Sequence, residues 1–317
     1  MNISPVLVLG GSGFVGRHVC EQLVRAGHQV TVPTRRASRA ASVQTLPGLT
    51  VIETDVHDDA ALAALMAGHS AVVNLIAVLH GDEARFERMH VQLPQRIAAA
   101  MRQAGVERLV HVSALGADLQ GPSLYPGSKA RGEAVLASAG LDLTVLRPSV
   151  IFGAEDRFLN LFADLQQVFP FMPLAGSGTK FQPVWVNDVA AAIVRCLQDR
   201  RTIGQTCEAC GPETFTLGEL VKRSGQWAGV NGGKGRPVIP LPRWVGWLQA
   251  LAMEMLPGEP LMSRDNLASM AVDNVASGQL PGLQALGITP AALSAVAPTY
   301  LGHKGPRSRL EGWRSQH

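Results

Sequence analysis

Apolar residues in this chain fall into short β-branched runs separated by longer stretches with helical spacing. Pro5–Leu9, Gln29–Val32, Thr50–Glu53, Ala71–Ile76, Arg108–Val112 and Asp142–Leu146 are runs of strand length and composition. Between them the period changes. Val15, Val19 and Leu23 lie on one helical face that stops at Gly27, and Ala84–Ala104 and Tyr125–Ala139 are long enough for further helices. Strand and helix in regular alternation predict an α/β chain with a Rossmann-type, doubly wound parallel sheet.

Beyond Gly153 the rhythm loosens. A proline- and glycine-rich loop (Pro170, Pro173, Gly176, Gly178) precedes a helix over Asn187–Asp199 and another short strand. Further helices are predicted at Thr216–Ala228, Arg243–Leu256, Met262–Met270 and Pro290–Val296. The expected organisation is a nucleotide-type domain over 1–155, then a mixed region over 156–305. Within that region about 183–210 completes the sheet and the rest forms a smaller, discontinuous C-terminal lobe. The polar stretch 306–317 is expected to be a flexible tail.

With 46% hydrophobic and 17% charged residues over 317 positions, the chain can bury a large core, which argues against disorder. The net charge of +3 and scattered arginines give no basic stripe, so nucleic acid is not an expected partner. Met1 runs almost directly into Val6–Leu9 without a basic lead or a cleavage site, and no apolar run reaches the ~18 residues of a membrane span. A cytoplasmic protein is expected. Pro242–Leu256 alone complicates this, because Trp244, Trp247, Leu248, Leu251 and Met255 recur at helical spacing. Core packing is one reading of that face, and peripheral contact of 242–256 with the membrane's inner face or with an apolar partner is the other. Four cysteines do not make a disulfide framework, and the Cys207–Cys210 pair lacks a second ligand pair, so no metal site is expected.

Candidate chemistry begins at Gly10-Gly11-Ser12-Gly13-Phe14-Val15-Gly16, directly after the first strand and opening the first helix. Glycines at 10, 13 and 16 permit a tight turn and let backbone amides approach a pyrophosphate at the positive end of the helix. Gly10, Ser12, Gly13, Phe14, Val15 and Gly16 are therefore candidate nucleotide contacts. The second strand runs into Arg35 and Arg36 where an NAD-selective protein places an acid for the ribose hydroxyl. Guanidinium groups favour a 2′-phosphate, which predicts NADP(H) in preference to NAD(H).

A second cluster follows the fifth strand. Tyr125-Pro-Gly-Ser-Lys129 puts phenol and ammonium four apart on one helical face, in a chain with only two tyrosines. The ammonium is expected to lower the phenol's pKa and let it move a proton. The pair resembles that of the short-chain dehydrogenases, whose lysine also holds the ribose, so the alternative is that Lys129 binds ribose while Tyr125 only packs.

These motifs resemble the short-chain dehydrogenase/reductase superfamily, in which the tyrosine and lysine are catalytic and a Ser or Thr precedes them. That resemblance also implies nucleotide contacts from Asp55 and Val56 after the third strand, from Leu75, Ile76 and Ala77 after the fourth, and from Lys129. Leu146-Arg147-Pro148 through Gly153 is similar to the RPxxxxG signature of extended members and adds Pro148. The catalytic hydroxyl position falls on Ala114, leaving Ser113 one residue early, and the loop from Ala114 to Tyr125 is too short for the substrate loop of sugar-nucleotide enzymes. Val110–Ala117, Phe152–Phe158 and Phe181–Ala190 resemble, more narrowly, the NADPH-binding accessory subunit family of mitochondrial complex I and its bacterial relatives. The resemblance implies a cofactor held for structure or sensing, and a partner in the respiratory chain or quinone pathway. The competing expectations are an NADPH-dependent reductase of a small hydrophobic carbonyl or quinone-like substrate using Tyr125 and Lys129, and a sensor of the NADPH/NADP ratio.

Overall fold

The computed structural model describes residues 4–254 and 263–302; the expected tail over 306–317, and Met255, Leu256 and Met262 of the expected helices, lie outside them. Seven strands form one parallel sheet: β1 (Val6–Leu9), β2 (Val30–Thr34), β3 (Leu49–Glu53), β4 (Ala71–Asn74), β5 (Arg108–Val112), β6 (Asp142–Pro148) and the strand Thr206–Ala209. Across the sheet the order is Thr206–Ala209, β6, β5, β4, β1, β2, β3. The chain winds outward from β1 through β2 to β3, then crosses to β4 and winds the other way. Strand order therefore reverses between β1 and β4, the point beyond whose carboxyl ends doubly wound sheets bind their ligands.

Burial explains why these segments are strands. All four residues of β1 are inaccessible to solvent, because helices cover both faces. On one face α2 (Asp59–Met66), α4 (Leu93–Ala104) and α5 (Leu124–Ala137) pack Leu62, Met66, Ile97, Met101 and Leu136 onto Leu7, Leu9, Val72 and Leu109. On the other, α1 (Phe14–Arg25) lies against α7 (Val186–Gln198), and Gln22 Nε2 donates to Asn187 O at 2.9 Å. Arg108, buried at the start of β5, donates to Asp142 O, to Thr144 Oγ1, to Cys196 O and to Thr202 Oγ1, tying two strands to the end of α7. Burial holds its pKa below the usual guanidinium value.

The expected strand over Ala71–Ile76 ends two residues early. Asn74 Oδ1 accepts from Ile76 N at 3.2 Å, so the carboxamide captures a backbone donor as the ladder ends. The expected helix over Ala84–Ala104 carries a π-helical segment at Glu87–Gln92, between α3 (Glu83–Phe86) and α4.

The chain divides into two compact units. The first takes residues up to Pro148, 186–209 and 277–289; the second takes 149–185, 210–276 and 290 onward. The return of 277–289 to the first unit is absent from the sequence expectations. Glu208 secures it, donating N–H to Pro281 O and accepting from Ser277 N at Oε2. In the second unit, α6 (Leu159–Val168) and α8 (Leu217–Trp227) enclose Phe152, Leu159, Leu217, Leu220 and Val221. There Met172–Ala175 pairs in parallel with Val238–Leu241, and α9 (Arg243–Glu254) follows. All four cysteines are buried and free, and Cys207 shares a hydrogen bond with Cys196. Among the described residues no group of His, Cys, Asp or Glu is placed to hold a metal, and no helix is long and apolar enough to cross a membrane.

Candidate nucleotide site

Every sequence-predicted site residue of the first unit stands within or just beyond the carboxyl end of a strand, or on α1 or α5. The glycine turn is the most constrained part. Gly10 takes φ +84° and Gly13 N donates back to Gly10 O at 3.0 Å, closing the turn. A Cβ on Gly16 would run into Gly10 O and lie 2.6 Å from Gly11 Cα, so any side chain there lifts α1 off the turn. Gly11, which sequence spacing did not single out, has an equal role: a Cβ would stand 2.7 Å from a Val32 methyl on β2. That requirement is tertiary and leaves no mark in the spacing.

Gly13 is the N-cap of α1, with no side-chain cap and no acid in the first turn. The positive end of the helix thus meets an exposed, uncapped turn, an arrangement suited to a diphosphate. Ser12 and Val15 are half-buried beside it, and the Phe14 ring meets His18 edge-on at 6.0 Å. The β4 end closes on the turn, since a Cβ on Gly10 would touch Leu75 at 3.3 Å and Ile76 at 3.4 Å, while Ala77 is exposed.

Arg35 and Arg36 are exposed after β2, where Thr34 Oγ1 donates to Arg36 O at 3.1 Å. Asp55 is exposed after β3 and accepts His57 N at 3.0 Å, whereas the Val56 side chain packs against the core. These four lie on the β2–β3 side of the turn, with the remaining candidates on the β4–β6 side.

On that side, Ser113 N donates to Leu146 O and Leu115 N to Pro148 O, drawing the ends of β5 and β6 together. Lys129 is 1% exposed, and its Nζ donates to Val112 O at 2.9 Å, one residue before Ser113. Burial depresses its pKa to about 8, opposed by the charge of Glu133. The phenol of Tyr125 departs from expectation: burial pushes it up to about 12, and the Lys129 ammonium is engaged by a carbonyl. Ala114 supplies no hydroxyl, and the buried Ser113 Oγ has no hydrogen-bond partner among the described residues.

A polar network missed by sequence reasoning supports this cluster. Val78 N donates to His90 Nε2 at 3.1 Å, which puts the ring proton on Nδ1. Nδ1 meets Ser128 Oγ at 2.8 Å, and Ser128 Oγ donates to Tyr125 O. Burial, and then the Lys129 charge, drive His90 down to about 3, so it is neutral. Its ring packs edge-on to Tyr125 at 5.6 Å. Asn74 Nδ2 donates to His111 Nδ1 at 3.1 Å, joining the β4 and β5 ends. Gly132 admits α5 against the π-helical segment, because a Cβ there would overlap His90 O. No local spacing rule pairs Ser128 with a histidine 38 residues earlier.

Two later motif residues are scaffold. Arg147 grips Glu133 in a fork at 3.0 and 2.6 Å, fastening β6 to α5. In the second unit, Asp156 accepts from Gly153, Phe158, Leu159 and Asn160 N–H groups and from Tyr300 Oη. The uncapped helix end, the glycine cradle that a Cβ would fill, the buried Lys129 and the unpartnered Ser113 hydroxyl fit a nicotinamide dinucleotide.

Residues 10–200 match a family described as NAD(P)H-binding. The mitochondrial NADH dehydrogenase [ubiquinone] 1 alpha subcomplex subunit 9 of Mus musculus is 36% identical over 301 residues, covering 90% of this chain and 76% of that protein. The NADH-ubiquinone oxidoreductase 40 kDa subunit of Neurospora crassa is 29% identical, covering 93% of this chain and 78% of that one. Among solved structures, an NADPH-dependent quinone oxidoreductase from Escherichia coli complexed with NADPH superposes with a TM-score of 0.73 at 22% identity. It covers 94% of this chain and 99% of that one.

Proposed function

The chain belongs to the NAD(P)H-binding family, alongside the complex I alpha subcomplex subunit 9 proteins, and from that premise we propose that it holds NADP(H) in preference to NAD(H) and serves respiratory complex I or quinone metabolism. In this reading the cofactor is structural or sensing. The observation that carries it is the intact glycine cradle; beside it, the family resemblance puts the substrate-holding hydroxyl at Ala114, which has none, and burial raises the Tyr125 phenol rather than lowering it.

The residues divide the work. Gly10, Gly13 and Gly16 bring the first-turn amides of α1 to the diphosphate. Arg35 and Arg36 supply charge for a 2′-phosphate, and Lys129, Leu75, Ile76 and Pro148, at the ends of β4 to β6 and on α5, are assigned to the ribose and nicotinamide half. The dinucleotide supplies hydride-transfer capacity when bound. His90, neutral and tethered at both nitrogens, holds the 75–78 segment and the first turn of α5 in one arrangement. A protein of the respiratory chain or quinone pathway is the proposed partner, and 242–256 is the proposed peripheral contact with the inner face of a membrane.

Fluorescence titration with NADPH and with NADH tests the cofactor, and tighter NADPH binding is expected. Gly13→Asp tests the site. A carboxylate at the N-cap favours the helix but repels phosphate, so binding is lost without unfolding. Failure of both nucleotides to bind the intact protein overturns the proposal.

A second reading rests on the unpartnered Ser113 hydroxyl beside Lys129: an NADPH-dependent reductase of a small hydrophobic carbonyl or quinone-like substrate, with Tyr125 as proton donor. Tyr125→Phe separates the two. If it abolishes NADPH-dependent quinone or carbonyl reduction, the protein is the enzyme; retention of every cellular phenotype that Gly13→Asp removes assigns it the binding role.

A further inference from the structure

The second unit carries an apolar surface larger than the sequence segment 242–256. Phe171, Pro173 and Ala175 alternate onto one face of Met172–Ala175 and its approach, while Met172 and Leu174 turn into the core. Ile239 pairs in register with Pro173 and shares that outer face. The start of α9 crosses the same face, because a Cβ on Gly246 would overlap the Ala175 Cβ, and Ala250, one turn on, is fully buried. The 3.6-residue period then turns Trp244, Trp247 and Leu248 away from the strands. Phe169, Phe171, Ile239, Trp244, Trp247 and Leu248 are each between 44% and 69% exposed, and unlike single exposed apolars they come from three segments that adjoin in space.

Charge selects the occupant. From 234 to 253 the chain carries Lys234, Arg236 and Arg243 and no Asp or Glu. Lys234 and Arg243 are exposed, and Arg236 is half-buried with its Nε on Gln166 O. Glu254 is neutralised by Arg264 at 2.8 Å, and that guanidinium lies 5.6 Å over the Trp247 ring. Separate aromatic and aliphatic projections, with Lys234 and Arg243 exposed in the same stretch of chain, suit a headgroup region rather than a shaped protein partner. We infer that this face docks on an anionic phospholipid surface, with Phe171, Ile239, Trp244 and Leu248 entering the interface and Lys234 and Arg243 meeting lipid phosphates. This extends the peripheral contact proposed above and stands apart from nucleotide binding.

The test is flotation of the purified full chain with phosphatidylcholine vesicles and with phosphatidylcholine/phosphatidylglycerol vesicles, alongside NADPH titration of the same samples. Binding is expected on the anionic vesicles and is expected to weaken as salt is raised. The pair Phe171→Ser and Trp244→Ser abolishes it. Lys234→Gln and Arg243→Gln each lower the partition coefficient roughly fivefold at low salt. Both sets retain wild-type NADPH affinity and near-ultraviolet circular dichroism, so failure here is distinct from failure of the cofactor reading. Recovery only in the soluble fraction, equal flotation on neutral vesicles, or undiminished binding by the variants overturns the inference. A concentration-dependent dimer lost in the same variants, without lipid binding, assigns the face to a second copy and overturns it too.

Discussion

Lys129 offers the sharpest test of the site's physical chemistry. Its ammonium sits 1% exposed on a single carbonyl, and burial takes its pKa from 10.5 to about 8. The folded protein therefore sheds this proton more readily than the unfolded chain. Between the two values the unfolded state binds more protons, so stability rises with pH across that window and is flat below it. The full difference amounts to about 3 kcal/mol, of which about 2 kcal/mol is recovered between roughly pH 7 and pH 9.5. Lys129→Met keeps the length of the stem and removes the charge. It loses the bond to Val112 O, at about 1 kcal/mol, and escapes the burial penalty. The variant is expected to be about 2 kcal/mol more stable than wild type near neutral pH, with the advantage gone by about pH 9.5. Its affinity for NADPH falls at the same time. Urea titrations of both proteins at the two pH values measure the difference directly, and other titrating groups cancel in the comparison. A variant less stable than wild type at neutral pH, or a pH-independent gap between the two, refutes the reasoning. Together, higher stability and weaker nucleotide binding would identify Lys129 as a charge retained at a stability cost for its ligand.

Three further outcomes follow from the same geometry. Replacing Arg35 with Gln and Arg36 with Glu reverses the preference from NADPH to NADH, since an acid there suits a free 2′-hydroxyl and repels a 2′-phosphate; unchanged selectivity in fluorescence titration counts against the arginine assignment. Ser113→Ala leaves the thermal midpoint of the free protein equal or slightly raised, because its buried hydroxyl has no partner among the described residues, and a drop of several degrees would show that the hydroxyl is structurally engaged. Gly132→Ala forces α5 away from the π-helical segment and lowers stability by about 1–3 kcal/mol in urea titration, with Lys129 and Tyr125 displaced together.

The strand ends explain how much was readable beforehand. Short apolar runs and helical spacing are local consequences of a sheet covered on both faces, so the alternation predicted the parallel sheet and placed the glycine turn at the end of β1. The apolar Leu75 and Ile76 predict a fourth strand two residues longer than β4; the stop comes from the Asn74 side chain, whose capture of Ile76 N is a choice of rotamer rather than of composition. Phenol and ammonium four apart predicted a shared face. The raised phenol did not follow from that spacing, because a pKa depends on burial and on which acceptor the ammonium has already found.

By itself the sequence determined the class of fold, the glycine turn and the residues that gather at the carboxyl edge of the sheet, because periodicity and glycine placement act over a few residues. Tertiary structure alone decided that Gly11 is needed against Val32, that His90 reaches Ser128, that 277–289 returns to Glu208, and that Phe171 and Ile239 join Trp244 on one face. Each of those pairs residues far apart in the chain, and such contacts depend on how whole elements pack, which no local pattern encodes.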